Sequence, residues 1–140
     1  MKKLALVLTV MTIANAQATP STVTIENTGS TNTSAYRIVL EENGSATLES
    51  HRKGQSVGAP VTHTVSKELA ARLFADVHKA MPLSKWPARH LIKSASFGTA
   101  TFVEFAGERS PDLEGSAASE PELSALQADV KAIVAAVKSP

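Results

Sequence analysis

The chain contains no cysteine among its 140 residues. Thiol nucleophiles, thiolate metal sites, redox switches and disulfides are therefore excluded. Aromatic residues are scarce as well, with one Trp, one Tyr and four Phe, so a core of Leu, Val, Ile and Ala is expected. The longest apolar run, Leu4 to Ala14, falls well short of the roughly 20 residues that a membrane-spanning helix needs. Neither sign of charge dominates: 14 Lys and Arg face 13 Asp and Glu, which is no polyelectrolyte signature for a nucleic-acid partner. The histidines His51, His63, His78 and His90 never stand two or four residues apart, so no metal-ligand pairing is spelled out. No metal and no cofactor is expected.

The N-terminus is what stands out. Met1-Lys2-Lys3 is cationic, Leu4 to Ala14 is apolar, and Ala14-Asn15-Ala16 is a small-x-small site. That is the three-part pattern of a secretory signal peptide, bacterial in style. Residues 1–16 are expected to be cleaved, and Ala16-Gln17-Ala18 offers a second cut after residue 18. Loss of Lys2 and Lys3 leaves 12 cations against 13 carboxylates. What remains has the size of one domain, expected over residues 22–138. With no cysteine after the leader, no lipid-type membrane anchor is expected. Export to the periplasm or the medium would leave a disulfide-free domain standing on its core alone.

Alternation of apolar and polar residues predicts strands at Val23–Ile25, Tyr36–Leu40 and Val61–Val65. Asn43-Gly44 marks a hairpin turn. A two-residue turn there would pair Ile38 with Glu49. A three-residue loop, Glu42-Asn43-Gly44, pairs Ile38 with Leu48 and Leu40 with Ala46 instead. A slip of one residue turns every side chain to the opposite face, so the apolar pairing is expected, closed by Gly44 as a left-handed bulge. His51 to Gln55 reads as a basic exposed turn. Ser66 is placed to cap a helix through Leu69, Leu73, Phe74, Val77 and Met81, stopped by Pro82. Phe97 to Phe105 is expected as a strand and Ala106-Gly107 as a tight turn. Pro111 to Ala118 reads as loop. Ser119-Glu-Pro-Glu122 reads as a capping box for a last helix with the stripe Leu123, Leu126, Val130, Ile133, Val134 and Val137. The order predicts one α+β domain: an antiparallel sheet of five to six strands with two amphipathic helices on one face.

Several short words in this order resemble a group of small exported bacterial domains of unknown function. They are the Asn43-Gly44 hairpin after Tyr36, the helix from Ser66, Lys93-Ser-Ala-Ser-Phe-Gly-Thr99, and Ser110-Pro-Asp-Leu113. Relatives of that kind carry a cysteine before the third word and another after the fourth. Here those places hold His90-Leu91 and Glu114-Gly115. The resemblance implies that the two segments are spatial neighbours without their staple. It implies no activity and no catalytic residue.

For function, Lys85-Trp86-Pro87-Ala88-Arg89-His90 is the leading binding segment, with Lys85, Trp86, Arg89 and His90 as its contact residues. Trp and Arg are the types that most often anchor interfaces. The plainer alternative has Trp86 capping the core beneath the helix that ends at Met81. Ser50-His51-Arg52-Lys53 matches Ser-x-x-Lys, but its serine ends a strand rather than opening a buried helix, so it reads as chance. A Ser-His-Asp set from Ser94 or Ser96, His90 and Asp112 depends on geometry that spacing does not fix. The expectation is a non-enzymatic binding domain whose partner is another envelope or secreted protein. A small cell-envelope hydrolase and a binder of a small apolar ligand between helices and sheet are the alternatives.

Overall fold

A computed structural model describes residues 21–89, 91–116 and 119–139. The expected leader and His90 lie outside the described residues. The sheet has six antiparallel strands: β1 (Thr22–Asn27), β2 (Ala35–Glu41), β3 (Ser45–His51), β4 (Val61–Thr64), β5 (Thr101–Phe105) and β6 (Glu108–Arg109). Their order across the sheet is β4-β3-β2-β1-β5-β6. Helices α1 (Lys67–Ala80) and α3 (Pro121–Lys138) pack together against one sheet face, and α2 (Leu113–Ser116) is a single turn before α3. The fold is the α+β arrangement that the order of elements predicts.

Register carries the core. β1 pairs Ile25 with Ile38 on one side and with Val103 on the other, and all three are fully buried. Val23 pairs with Leu40, and Leu40 with Ala46. Because strand side chains alternate, these residues share one face, and α1 lays Leu73, Phe74 and Val77 over it while α3 adds Leu126, Val130 and Ile133. The opposite face is polar: Glu26 is 3.4 Å from Arg37 and 2.9 Å from Arg109, which also reaches Glu104.

The β2–β3 hairpin has the three-residue loop. Ile38 faces Leu48, the Gly44 amide donates to the Glu41 carbonyl at 3.0 Å, and Gly44 has φ +93°. A Cβ on Gly44 would lie 2.6 Å from the Val65 carbonyl oxygen, so glycine is required there for space as well as for φ. The Ser66 hydroxyl accepts the Leu69 amide at 3.2 Å and starts α1 as its N-cap.

Three local expectations are corrected. The strand expected from Phe97 begins only at Thr101, because residues 95–100 bond to the 28–32 loop instead of to a strand. Leu113 to Ser116, expected as loop, forms α2, and Leu113 is fully buried. The capping box at Ser119 does not form. Glu120 is the N-cap with no side-chain bond, and Pro121 takes the first helical position, where its missing N–H costs nothing.

Across the helix seam, Arg72 Nε donates to Asp129 Oδ1 at 2.6 Å, while buried Asp129 Oδ2 has no partner. Burial holds the Asp129 carboxyl above its usual range, and the neighbouring Asp76 adds to this. Asp76 is shifted the opposite way, chiefly by its contact with Asp129.

Two predictions follow from these local features. Ala106 has φ +51° and precedes Gly107 at φ +78°, a turn that favours Asn-Gly. Ala106→Asn is expected to raise stability by about 0.5–1 kcal/mol in urea unfolding. A carboxyl whose pKa is raised by folding ionises more readily in the unfolded chain, so its ionisation opposes folding as pH rises from acid. Asp129→Asn supplies a neutral donor at the unpartnered position. Its unfolding free energy from urea titration is expected above wild type at pH 7, by about 1 kcal/mol, with the advantage gone at pH 3.

Candidate functional site

The loop after α1 closes the helix. The Trp86 indole N–H donates to the Ala80 carbonyl at 2.8 Å, one of the carbonyls a helix C-terminus leaves unpaired. The ring is half-buried against the core, of which fully buried Leu83 is part. Lys85 Nζ sits 4.5 Å from the Trp86 ring centre and 3.5 Å from the Met81 carbonyl. Trp86 therefore holds the core-capping place, and Lys85 lies along it. Arg89 is exposed, and His90 lies outside the described residues. Arg89 lines a surface hollow with Leu91 and Lys93, to which neither Lys85 nor Trp86 contributes.

Asp112 is occupied by the fold. It accepts the Lys93 ammonium, the Thr101 amide at 3.0 Å and the Glu114 amide at 3.1 Å. Ser94 Oγ accepts the Ser96 amide at 3.3 Å. A Cβ placed on Gly115 would lie 3.3 Å from Leu91, so residues 91 and 115 are indeed neighbours.

The concave feature of greatest chemical interest lies elsewhere, where the inner sheet face changes character. Its last row is Asn27, Tyr36 and Thr101, with Asn27 paired to both others. Asn27 Nδ2 donates to Thr101 Oγ1 at 2.9 Å, and Thr101 donates onward to Glu114 Oε1 at 2.9 Å. Lys93 Nζ lies 3.6 Å from the same carboxylate. Above this polar row the C-terminal half of α3 leaves an open groove of about 280 Å³. Leu113, Val130, Val134 and Ala135 give it apolar walls, and Tyr36, Glu114, Lys131 and Lys138 bring polar groups to it.

The Lys138 ammonium stands 3.6 Å from the centre of the Tyr36 ring, a cation–π contact. Burial pushes Lys138 below its ordinary value. Burial raises the Tyr36 hydroxyl, the Glu114 carboxylate raises it further, and Thr101 beside it acts the other way. The phenol is thus a neutral donor at physiological pH.

Sequence reasoning placed Tyr36 on a strand face and Val134 on a helix stripe without seeing a site. The available signal was the break in the aliphatic alternation, with Asn27, Tyr36 and Thr101 at the matching ends of three strands. Reading it required the β1–β5 register. No protein-family model matches the chain, and no curated protein matches it in sequence.

If Trp86 serves the fold, its loss should appear as instability. Trp86→Ala is expected to lower unfolding free energy by about 2–3 kcal/mol. Trp86→Phe, which keeps a ring but loses the donor, is expected to cost about 1 kcal/mol. Urea titration followed by far-ultraviolet circular dichroism measures both.

Proposed function

We propose that this chain is an exported, non-enzymatic binding domain, working in the periplasm or the medium, and that its ligand is a small molecule with an apolar body and an anionic end. The groove between α3 and the sheet carries this reading. At about 280 Å³ it lies at the small end of the range for ligand pockets, about 300–1,000 Å³, and suits a short chain or a single ring system. Val134 and Ala135 offer accessible contact for the apolar body, over buried Leu113 and Val130. Lys131 and Lys138, seven residues apart on α3, flank Val134. With the Tyr36 hydroxyl they favour an anionic group at the rim. Glu114 is already bonded to Thr101 and faces Lys93, which offsets its repulsion of an anion.

The reading of a protein partner at Trp86 has less support, since that ring is tied to Ala80. The hydrolase reading has less again, since Asp112 is engaged by Lys93 and two backbone amides.

The test is displacement of anilinonaphthalene sulfonate by decanoate, followed by fluorescence and by calorimetry. Saturable one-to-one binding is expected. Ala135→Phe, which fills the groove from an exposed helix position, should weaken it at least about tenfold. Lys138→Gln should weaken it about fivefold. Decanoate binding that ignores both substitutions, or no saturable binding at all, refutes the proposal.

A further inference from the structure

Five large apolar side chains stand exposed among the described residues: Val57, Val61, Leu91, Ile92 and Phe97. Three of them lie on one loop after Trp86. Ile92 has 106% relative exposure and Phe97 70%, so these side chains protrude. Single exposed apolar residues need no account, but a cluster on one loop does.

The loop is fastened rather than loose. Lys93 donates to the Thr99 carbonyl and to Asp112. The Asn32 amide donates to the Ser96 carbonyl at 3.1 Å, and the Ser30 hydroxyl donates to the same oxygen at 2.7 Å. The Thr28 amide donates to the Ala100 carbonyl at 3.0 Å. The loop after β3 joins this end of the molecule: His51 and Lys53 line one surface hollow with Ala95 and Gly98, and Arg52 Nε donates to Ser34 Oγ at 3.4 Å. Exposed Val57 is on that same loop.

Charge is sorted to match. Residues 28–34, 51–60 and 89–100 contain Arg52, Lys53, Arg89 and Lys93 and no Asp or Glu. Asp112 and Glu114 meet Lys93. No carboxylate pairs with Arg52, Lys53 or Arg89 among the described residues. At the far end of the sheet, the turns at 42–44 and 106–107 are flanked by Glu41, Glu42, Glu104 and Glu108.

We propose that the cationic end docks on a bilayer containing anionic phospholipid. Leu91, Ile92 and Phe97 enter the headgroup boundary, and Arg52, Lys53 and Arg89 lie against the phosphates. Protruding apolar side chains beside unpaired cations are the chemistry of interfacial binding, in which area burial and charge attraction add. The core of a protein–protein interface is depleted of charge and well packed, which a fully projecting Ile92 on a loop that also carries Arg89 does not resemble.

The experiment is co-sedimentation of the full chain with vesicles of phosphatidylcholine alone or mixed with phosphatidylglycerol. Every variant keeps residues 1–20, so differences between variants report the loops. Wild type is expected to bind the anionic vesicles more tightly than the neutral ones, and to lose that preference in about 0.5 M salt, where charges are screened. Ile92→Ser with Phe97→Ser should weaken binding at least about tenfold. Arg52→Gln with Lys53→Gln should weaken it on the order of tenfold, on anionic vesicles only. All four positions are exposed, and circular dichroism verifies that each variant folds. Equal binding by wild type and the Ile92/Phe97 variant, or equal binding to both vesicle types, overturns the proposal. So does self-association through Ile92 and Phe97 without vesicle binding, which would mark a protein-docking surface instead.

Discussion

Ile25 is held between Ile38 and Val103, each from a different neighbouring strand, and none of the three meets solvent. This row is what the rest of the domain must cover. A sheet with one apolar face is stable only when another layer buries it, and no disulfide assists here. Helices α1 and α3 supply that layer, joined along a seam where Arg72 meets Asp129. The devices at the edges serve the same end. Gly44 sets the hairpin register that brings Leu48 opposite Ile38, and the Trp86 indole closes α1 where it leaves the core.

The aliphatic row does not continue to the end of the strands. One step along, it becomes Asn27, Tyr36 and Thr101, and polar atoms there must be bonded or left near water. Asn27 and Thr101 bond to each other, and Thr101 passes the chain on to Glu114. An apolar helix face laid flat over such a row would strand these groups. The groove under the end of α3 is the physical consequence: Val134 and Ala135 between Lys131 and Lys138 on the helix side, a polar row on the sheet side, and open.

Features set by near neighbours in the chain were legible beforehand. The hairpin could be worked out because its two strands share a turn and only one register pairs Ile38 with Leu48. The start of α1 could be read from Ser66 because its cap bond reaches only three residues. What failed depended on distant partners. Nothing near Phe97 announces that residues 95–100 bond to the 28–32 loop, so alternation alone extended the strand too far. Ser119 carried a capping signal, yet Pro121 two positions later set the helix start. The groove needed the pairing of β1 with β5, whose residues Asn27 and Thr101 are 74 positions apart. The Trp86 segment showed the reverse problem, since interface anchors and core caps draw on the same residue type.

The groove and the cationic end are joined through one carboxylate. Asp112 accepts Lys93, which fastens the apolar loop, and it also accepts the amides of Thr101 and Glu114, which form the polar side of the groove. Lys93 in turn faces Glu114. Of the two carboxylates that share Lys93, Glu114 lines the groove and Asp112 lies outside it, beside Arg89 and Leu91. Lys93 thus belongs to both places: it fastens residues 91–97 and balances the carboxylates of Asp112 and Glu114.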